Sequence, residues 1–96
     1  MKEDSIKSFK SAFNNFLKEE NLEHTYKQKQ LIANWEQIMG KTIASRTSKI
    51  FFSDKVLFVK LSSAPLKNEM LHAKDQLLQI IEKEMGPGEV KDVRFL

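Results

Sequence analysis

The stretch Lys49–Leu61, KIFFSDKVLFVKL, decides the fold of this chain. It alternates with period two and is rich in Phe, Val and Ile, which suit a pleated, half-buried surface. Turn-forming residues interrupt it at Ser53-Asp54-Lys55. The stretch therefore predicts a β-hairpin over residues 48–62, and the rest of the chain can be placed around it.

The register of the hairpin follows from the cost of burying a lysine. A loop with an even number of residues, centred on Asp54-Lys55, gives one almost wholly apolar face. That face contains the cross-strand pairs Phe52–Leu57, Ile50–Val59 and Ser48–Leu61. An odd loop would put Lys49 on the apolar face, where an ammonium without a partner is costly. The even register is therefore favoured, with a loop of two or four residues.

The opposite face of the hairpin carries two aromatic side chains flanked by two lysines. In the even register Phe51 pairs with Phe58, and Lys49 pairs with Lys60. Such an aromatic pair is either covered by a terminus or a neighbouring chain, or it forms a contact surface for nucleic acid or a protein partner. The residues alone leave both interpretations open.

The charge is concentrated in the middle of the chain. The 96 residues are 41% hydrophobic and 30% charged, which is ordinary for one globular domain over residues 1–96. The net charge is only +3, but residues 27–67 carry seven Lys and one Arg against two acids. A basic segment of this kind either meets phosphate groups or is a solvated face.

Several function classes lack their residue patterns in this sequence. With no cysteine, and with His24 and His72 in different predicted elements, no metal site is expected. Gly40-Lys41-Thr42 resembles the end of a phosphate-binding loop, but the glycine required five residues earlier is replaced by Trp35. We expect no catalytic residue, no cofactor and no enzymatic activity. Without a signal or transmembrane pattern, a cytoplasmic protein is predicted.

Helical periodicity flanks the hairpin on both sides. Apolar residues recur every three or four positions over residues 4–20, 26–39 and 64–85. Gly40 ends the second predicted helix, and Ser62-Ser63 with Pro65 marks the start of the third. The first helix has the apolar stripe Ile6, Phe9, Phe13, Phe16 and Leu17. That stripe is either core or a docking face for another protein, and we favour core.

A final strand is predicted over residues 89–95, after Gly86-Pro87-Gly88 ends the third helix. The long helical crossover makes this strand parallel to the second hairpin strand. Whether it lies beside the second strand or the first is left open. The order α-α-β-β-α-β predicts an α+β fold of two layers, with a three-stranded sheet covered by helices on one face.

Several strings, in order along the chain, resemble the DciA family. They are Trp35-Glu36-Gln37-Ile38-Met39-Gly40, Ile43-Ala44 with Thr47, the hairpin Phe52–Ser62, the string SSAPLKNEM at 62–70, and the closing strand Val90–Phe95. Together they cover about residues 27–96, and the N-terminal helix fits the family's size and order. The chain departs from many members at Pro65-Leu66, where they have a Trp, and in lacking their long polar tail.

The resemblance implies a KH-like domain and the function of a loader or operator of the bacterial replicative DNA helicase. It also implies contact with DNA, although the GXXG loop of KH domains is absent from this sequence. Together with the basic centre, it makes Lys41, Arg46, Lys49, Lys55, Lys60 and Lys67 candidate contacts to the phosphates of single-stranded DNA. Phe51 and Phe58 are the candidate stacking or docking surface. The alternative is a protein–protein interaction module or homodimer that does not bind nucleic acid.

Overall fold

The computed structural model describes residues 2–96, with side chains described from Ile6 onward. This part of the chain forms an α+β fold, as the sequence pattern predicts. Its elements in chain order are α1 Lys2–Glu19, α2 Glu23–Ala33, α3 Trp35–Met39, α4 Lys41–Ser45, β1 Thr47–Ser53, β2 Val56–Leu61, α5 Ala64–His72, α6 Lys74–Met85 and β3 Asp92–Phe95. This order is compatible with the KH-like fold that the family resemblance implies.

The three strands form one mixed sheet in the order β1-β2-β3. Strands β1 and β2 are antiparallel, and β3 runs parallel to β2, as predicted. The structure also answers the question of adjacency, because β3 lies beside β2 and makes it the central strand. Central position suits β2, whose residues Leu57 and Val59 have no exposed surface.

The predicted hairpin register is confirmed over most of its length. Phe52 lies opposite Leu57 and Ile50 opposite Val59, with Phe51–Phe58 and Lys49–Lys60 on the other face. The predicted Ser48–Leu61 pair is wrong, because the register shifts between Thr47 and Lys49 and Thr47 takes the place opposite Leu61. Ser48 is therefore the extra residue of a β-bulge.

A two-residue turn closes the hairpin. Ser53 pairs with Val56, and the two residues between them have left-handed backbone angles, with φ of 49° at Asp54 and 63° at Lys55. Two positive φ values in a two-residue loop define a type I′ turn, whose twist matches that of the flanking strands. The turn keeps the even register that the lysine argument favours.

Two of the predicted helices are broken where a continuous helix was expected. The segment predicted as 26–39 begins at Glu23 and divides at Asn34, and the segment predicted as 64–85 divides at Ala73. Neither break contains Pro or Gly, so the sequence does not mark them. At Ser63 the predicted cap is present, since its Oγ accepts a hydrogen bond from the Leu66 N–H at 3.4 Å.

The core lies between one face of the sheet and the helices α2 to α6. Its largest fully buried side chains are Leu57, Val59, Ile81 and Val93. Each helix except α4 in this layer adds at least one buried apolar residue, in chain order Leu31, Trp35, Met70, Leu77, Ile81 and Met85. Burying one such side chain contributes about 1.5–3 kcal/mol, so this layer supplies most of the apolar stabilisation.

Helix α1 lies outside this core, so the favoured interpretation of its apolar stripe is wrong. Leu17 is buried but does not belong to the core cluster, and Phe9 is 69% exposed. The helix packs against α2, where the Phe13 ring meets the Tyr26 ring edge-on at 5.2 Å between centroids. An amphipathic pattern indicates that a helix has an apolar side but does not identify what covers it. Within residues 2–96, no helix is both long and apolar enough to span a bilayer.

Candidate nucleic-acid and partner interface

The face of the sheet that points away from the core has an aromatic row and a basic row. Because side chains alternate along a strand, Phe51, Phe58 and Arg94 occupy neighbouring positions across β1, β2 and β3. Lys49 and Lys60 form the next row, directly opposite each other. We call Lys49, Phe51, Phe58, Lys60 and Arg94 the outer sheet face.

The two phenylalanines of the outer sheet face stack on each other. Their ring centroids are 5.0 Å apart and the ring planes differ by 9°. Both rings are half-buried, whereas Leu57 on the opposite side of β2 is fully buried. The Lys49 Nζ lies 5.3 Å from the centroid of the Phe51 ring, within the range of a cation–π interaction.

The lysine pair is electrostatically unfavourable in the chain alone. Lys49 and Lys60 are exposed and lie at directly opposite positions of neighbouring strands. Like charges at such positions destabilise a sheet. Neither lysine makes an ion pair with any side chain from Ile6 onward. An anion between the two ammonium groups would relieve the repulsion.

Arg94 also belongs to this face, although the hairpin and the basic central segment that point to the other candidates do not include it. It lies opposite Phe58 in β3, and its Nε is 3.7 Å from the Asp92 Oδ2. Asp92 is also 2.9 Å from the Lys74 Nζ, and this hydrogen bond holds the pKa of Asp92 below its ordinary value. The alternation of Arg94 with Val93 and Phe95 indicates its face, but its neighbour could not be known until β3 was placed beside β2.

Lys55 lies at the far end of the hairpin from the lysine pair. It is the second residue of the turn, and its Nζ donates a hydrogen bond to the Gly88 carbonyl at 3.2 Å. The nearby Lys91 Nζ is 3.3 Å from Asp54, which partly neutralises this end of the hairpin. Lys55 therefore belongs to a different part of the surface from Lys49 and Lys60.

The remaining three candidates lie on or beside the helices. Lys41 is the exposed first residue of α4, and Lys67 is half-buried in α5. Arg46 follows α4, and its carbonyl accepts hydrogen bonds from the N–H and Oγ of Ser62, at 2.8 and 3.1 Å. The structure thus brings Lys49, Lys60 and the two phenylalanines together and adds Arg94. Arg46 lies beside Ser62 at the open end of the hairpin, whereas Lys55 is in the turn and Lys41 and Lys67 are on helices.

A separate polar cluster ties α2 to the segment before β3. Glu89 accepts a hydrogen bond from His24 and one from the Lys27 Nζ at 3.2 Å. The His24 contact is the main reason that the pKa of Glu89 lies below its ordinary value, and Lys27 adds to the effect. Among the side chains described, no group of three or more His, Cys, Asp or Glu is arranged to hold a metal ion.

The fold and this surface define a small α+β domain that carries a basic and aromatic patch on an open sheet face. The chain matches the family described as "Dna[CI] antecedent, DciA" over residues 8–95. A match over so much of the chain shows the family, and the protein belongs to the DciA family, as its sequence resemblance implied.

A UPF0232 protein of Corynebacterium glutamicum (strain R) is a curated relative of this chain. The two are 31% identical over 63 residues, which is 66% of this chain but 35% of the relative. The chain therefore matches about a third of that protein's length. No solved structure matches the chain.

Proposed function

We propose that this protein is a non-enzymatic adaptor of bacterial DNA replication. In this proposal it binds the replicative DNA helicase in the cytoplasm and assists its loading, while the outer sheet face makes weak contact with single-stranded DNA. Membership of the DciA family over residues 8–95 supports the helicase part. The outer sheet face supports the DNA part.

The opposed lysine pair is the observation that carries the DNA contact. Lys49 and Lys60 repel each other across neighbouring strands, and neither has an acidic partner among the side chains described. A phosphate group near both would turn a destabilising arrangement into two favourable contacts. The free energy gained on binding is therefore larger than for two lysines that were already paired.

The neighbouring aromatic stack favours single strands over duplexes. In a duplex the faces of the bases are covered by neighbouring base pairs, whereas a single strand can lay a base against an aromatic ring. Stacking on a protein aromatic contributes about 1–3 kcal/mol per base and depends little on the sequence. With two phenylalanines and three cations, the outer sheet face suits weak binding without sequence preference.

Charge reversal at the lysine pair tests the proposed contact. Lys49→Glu with Lys60→Glu should weaken binding to a labelled oligothymidylate, measured by fluorescence anisotropy over a range of salt concentrations. Loss of two phosphate contacts should reduce the slope of log K against log salt by about 1.4, since each contact to a single strand contributes about 0.7. The matched control is Lys29→Glu with Lys83→Glu, which changes net charge equally at exposed positions of α2 and α6.

The control separates a local contact from a general effect of net charge. A loss confined to the sheet variant supports the outer sheet face as the DNA site. Unchanged affinity and slope in the sheet variant, or equal losses in both variants, would refute this placement. The protein would then be better described as a protein-binding module without nucleic-acid contact.

A further inference from the structure

We propose that strand β1 pairs in antiparallel orientation with β1 of a second copy of this chain. Strand β1 is an edge of the sheet, because β2 and β3 lie on one side of it and the described part of the chain places no strand on the other. An uncovered edge presents unpaired N–H and C=O groups, to which another strand can bind. The hydrogen bonds of β2 show which groups these are.

The free backbone groups of β1 belong to Ile50 and Phe52. The Val59 carbonyl accepts a hydrogen bond from the Leu96 N–H at 2.9 Å, so the backbone of Val59 faces β3. Its partner Ile50 therefore directs its own N–H and C=O to the opposite side, and alternation gives Phe52 the same direction. No loop or helix backbone within residues 2–96 bonds to these groups.

Little in the sequence of this edge blocks pairing. Edge strands are commonly protected by proline, by bulges or by charged side chains. In β1 the bulge is at Ser48, and the only charged residue is Lys49, whose Nζ lies over the Phe51 ring rather than in the plane of the edge. The other edge strand, β3, has four residues, of which Asp92 and Arg94 are charged. The edge of β1 is therefore the better one for a further strand.

The pairable part of β1 is complementary to itself, which identifies a second copy as the occupant. It is limited by the bulge at one end and the turn at the other, so it spans residues 49–53 and its midpoint is Phe51. With Phe51 on a two-fold axis, Ile50 of each copy lies opposite Phe52 of the other, and each such pair exchanges two hydrogen bonds. The free N–H and C=O groups of both copies are then satisfied.

The side chains also fit this register. Phe51 meets Phe51 of the second copy at a non-hydrogen-bonded position, where Cα atoms are about 4.5 Å apart and aromatic pairs are favourable. Lys49, the only charged residue of the segment, lies opposite Ser53 of the second copy rather than opposite another lysine. A single strand pair is a small interface, so the dimer should depend strongly on concentration.

The pairing joins the two outer sheet faces into one. Its two-fold axis is perpendicular to the joined sheet, so both faces lie on the same side. Phe51 and Phe58 of each copy then form one row of four rings, with an Arg94 at each end. A single strand of DNA would meet aromatic rings from both copies, a consequence that rests on the proposed DNA contact although the pairing does not.

The pairing is tested by sedimentation equilibrium of the full chain, without nucleic acid, over a wide range of concentrations. The wild type should approach twice the monomer mass. Phe51→Lys should weaken association at least about tenfold, because two lysines then meet at the two-fold axis. The matched control is Phe58→Lys, which breaks the same aromatic stack and adds the same charge one strand away from the axis. It should associate within about threefold of the wild type.

Mixing two variants tests the register. Phe51→Glu alone should also weaken association at least about tenfold, whereas an equimolar mixture of Phe51→Lys and Phe51→Glu should form a dimer, since opposite charges then meet on the axis. A wild type that stays monomeric at every concentration would overturn the proposal, and the edge would then be free for an extended segment of another protein. Equal losses in Phe51→Lys and Phe58→Lys, or a mixture that stays monomeric, would also overturn it.

Discussion

Glu89 shows how one side chain makes the stability of this fold depend on pH. It joins α2 to the segment before β3 through hydrogen bonds from His24 and Lys27. Because these contacts favour the carboxylate, the pKa of Glu89 is lower in the folded chain than its ordinary value of 4.5. A depressed pKa adds stability above the unfolded pKa, and this stability is lost as the pH falls through the folded pKa.

Replacing this carboxylate should remove that pH dependence. We expect Glu89→Gln to lower the free energy of unfolding most above about pH 5, with the difference from the wild type shrinking toward lower pH. Urea denaturation from pH 7 downward measures the difference. Glu84→Gln on the exposed side of α6 is the control and should give a small offset that does not vary with pH. A constant difference for Glu89→Gln would show that its ionisation is not coupled to folding.

The sequence predicts the position of some residues of the outer sheet face but not of others. Phe51, Phe58, Lys49 and Lys60 could be placed together because period-two alternation and the cost of burying a lysine fix both face and register. Arg94 could not, since its neighbour depends on which strand β3 joins, and no local pattern determines that. Lys55 is close to Lys49 and Lys60 in sequence, but it lies in the turn, at the opposite end of the hairpin from that pair.

At the scale of elements, the β-bulge in β1 links the hairpin to the helical layer. The Thr47 Oγ1 accepts a hydrogen bond from the Trp35 Nε1 at 3.0 Å and donates one to the Ile43 carbonyl at 2.8 Å. Trp35 is 5% exposed, so its indole N–H needs a partner within the protein. The shift at Ser48 sets Thr47 opposite Leu61, on the side where that partner is required.

Removing the hydroxyl of Thr47 should therefore lower the free energy of unfolding more than removing the hydroxyl of Ser48. Thr47→Val keeps the shape but leaves the buried indole N–H unpaired, which should lower the free energy of unfolding by about 1–3 kcal/mol. Ser48→Ala, whose exposed Oγ donates to the Lys60 carbonyl, should change it by no more than about 0.5 kcal/mol. Urea denaturation compares the two variants. Equal decreases in the free energy of unfolding would show that the hydrogen bond from Trp35 to Thr47 does not stabilise the fold.

Local pattern predicted the elements better than their interruptions. Thr47 and Ser48 are both small hydroxyl residues, so the sequence cannot tell which of them faces inward. The breaks at Asn34 and Ala73 have no Pro or Gly, and the helices divide there to bury Leu31, Trp35, Met70 and Leu77 in one core. This packing involves residues from several elements, so the sequence of a single segment does not predict it.

At the scale of the whole molecule, the chain is elongated. It measures 50 × 27 × 20 Å, and its radius of gyration is 15.6 Å. A compact chain of this length would have a radius of about 12–13 Å. Helix α1 packs mainly against α2, so its apolar stripe is separate from the outer sheet face. The stripe was predicted as core because composition and periodicity do not show how far a helix extends from the rest of the fold.

These two separate surfaces suit an adaptor, which must hold more than one partner at once. The outer sheet face offers cations and aromatic rings, and α1 offers an apolar groove lined by Phe9, Phe13 and, from α2, Tyr26. The helicase contact is the part of the proposed function that rests on family membership, so it is the part to test first.

The decisive measurement is direct binding between the purified chain and the replicative helicase of the same organism. Both proteins would be treated with nuclease, and complex formation followed by sedimentation velocity. We expect a saturable complex that forms without nucleic acid and that persists with the Lys49→Glu, Lys60→Glu variant. A folded chain that forms no complex with the helicase at any concentration would contradict the adaptor function.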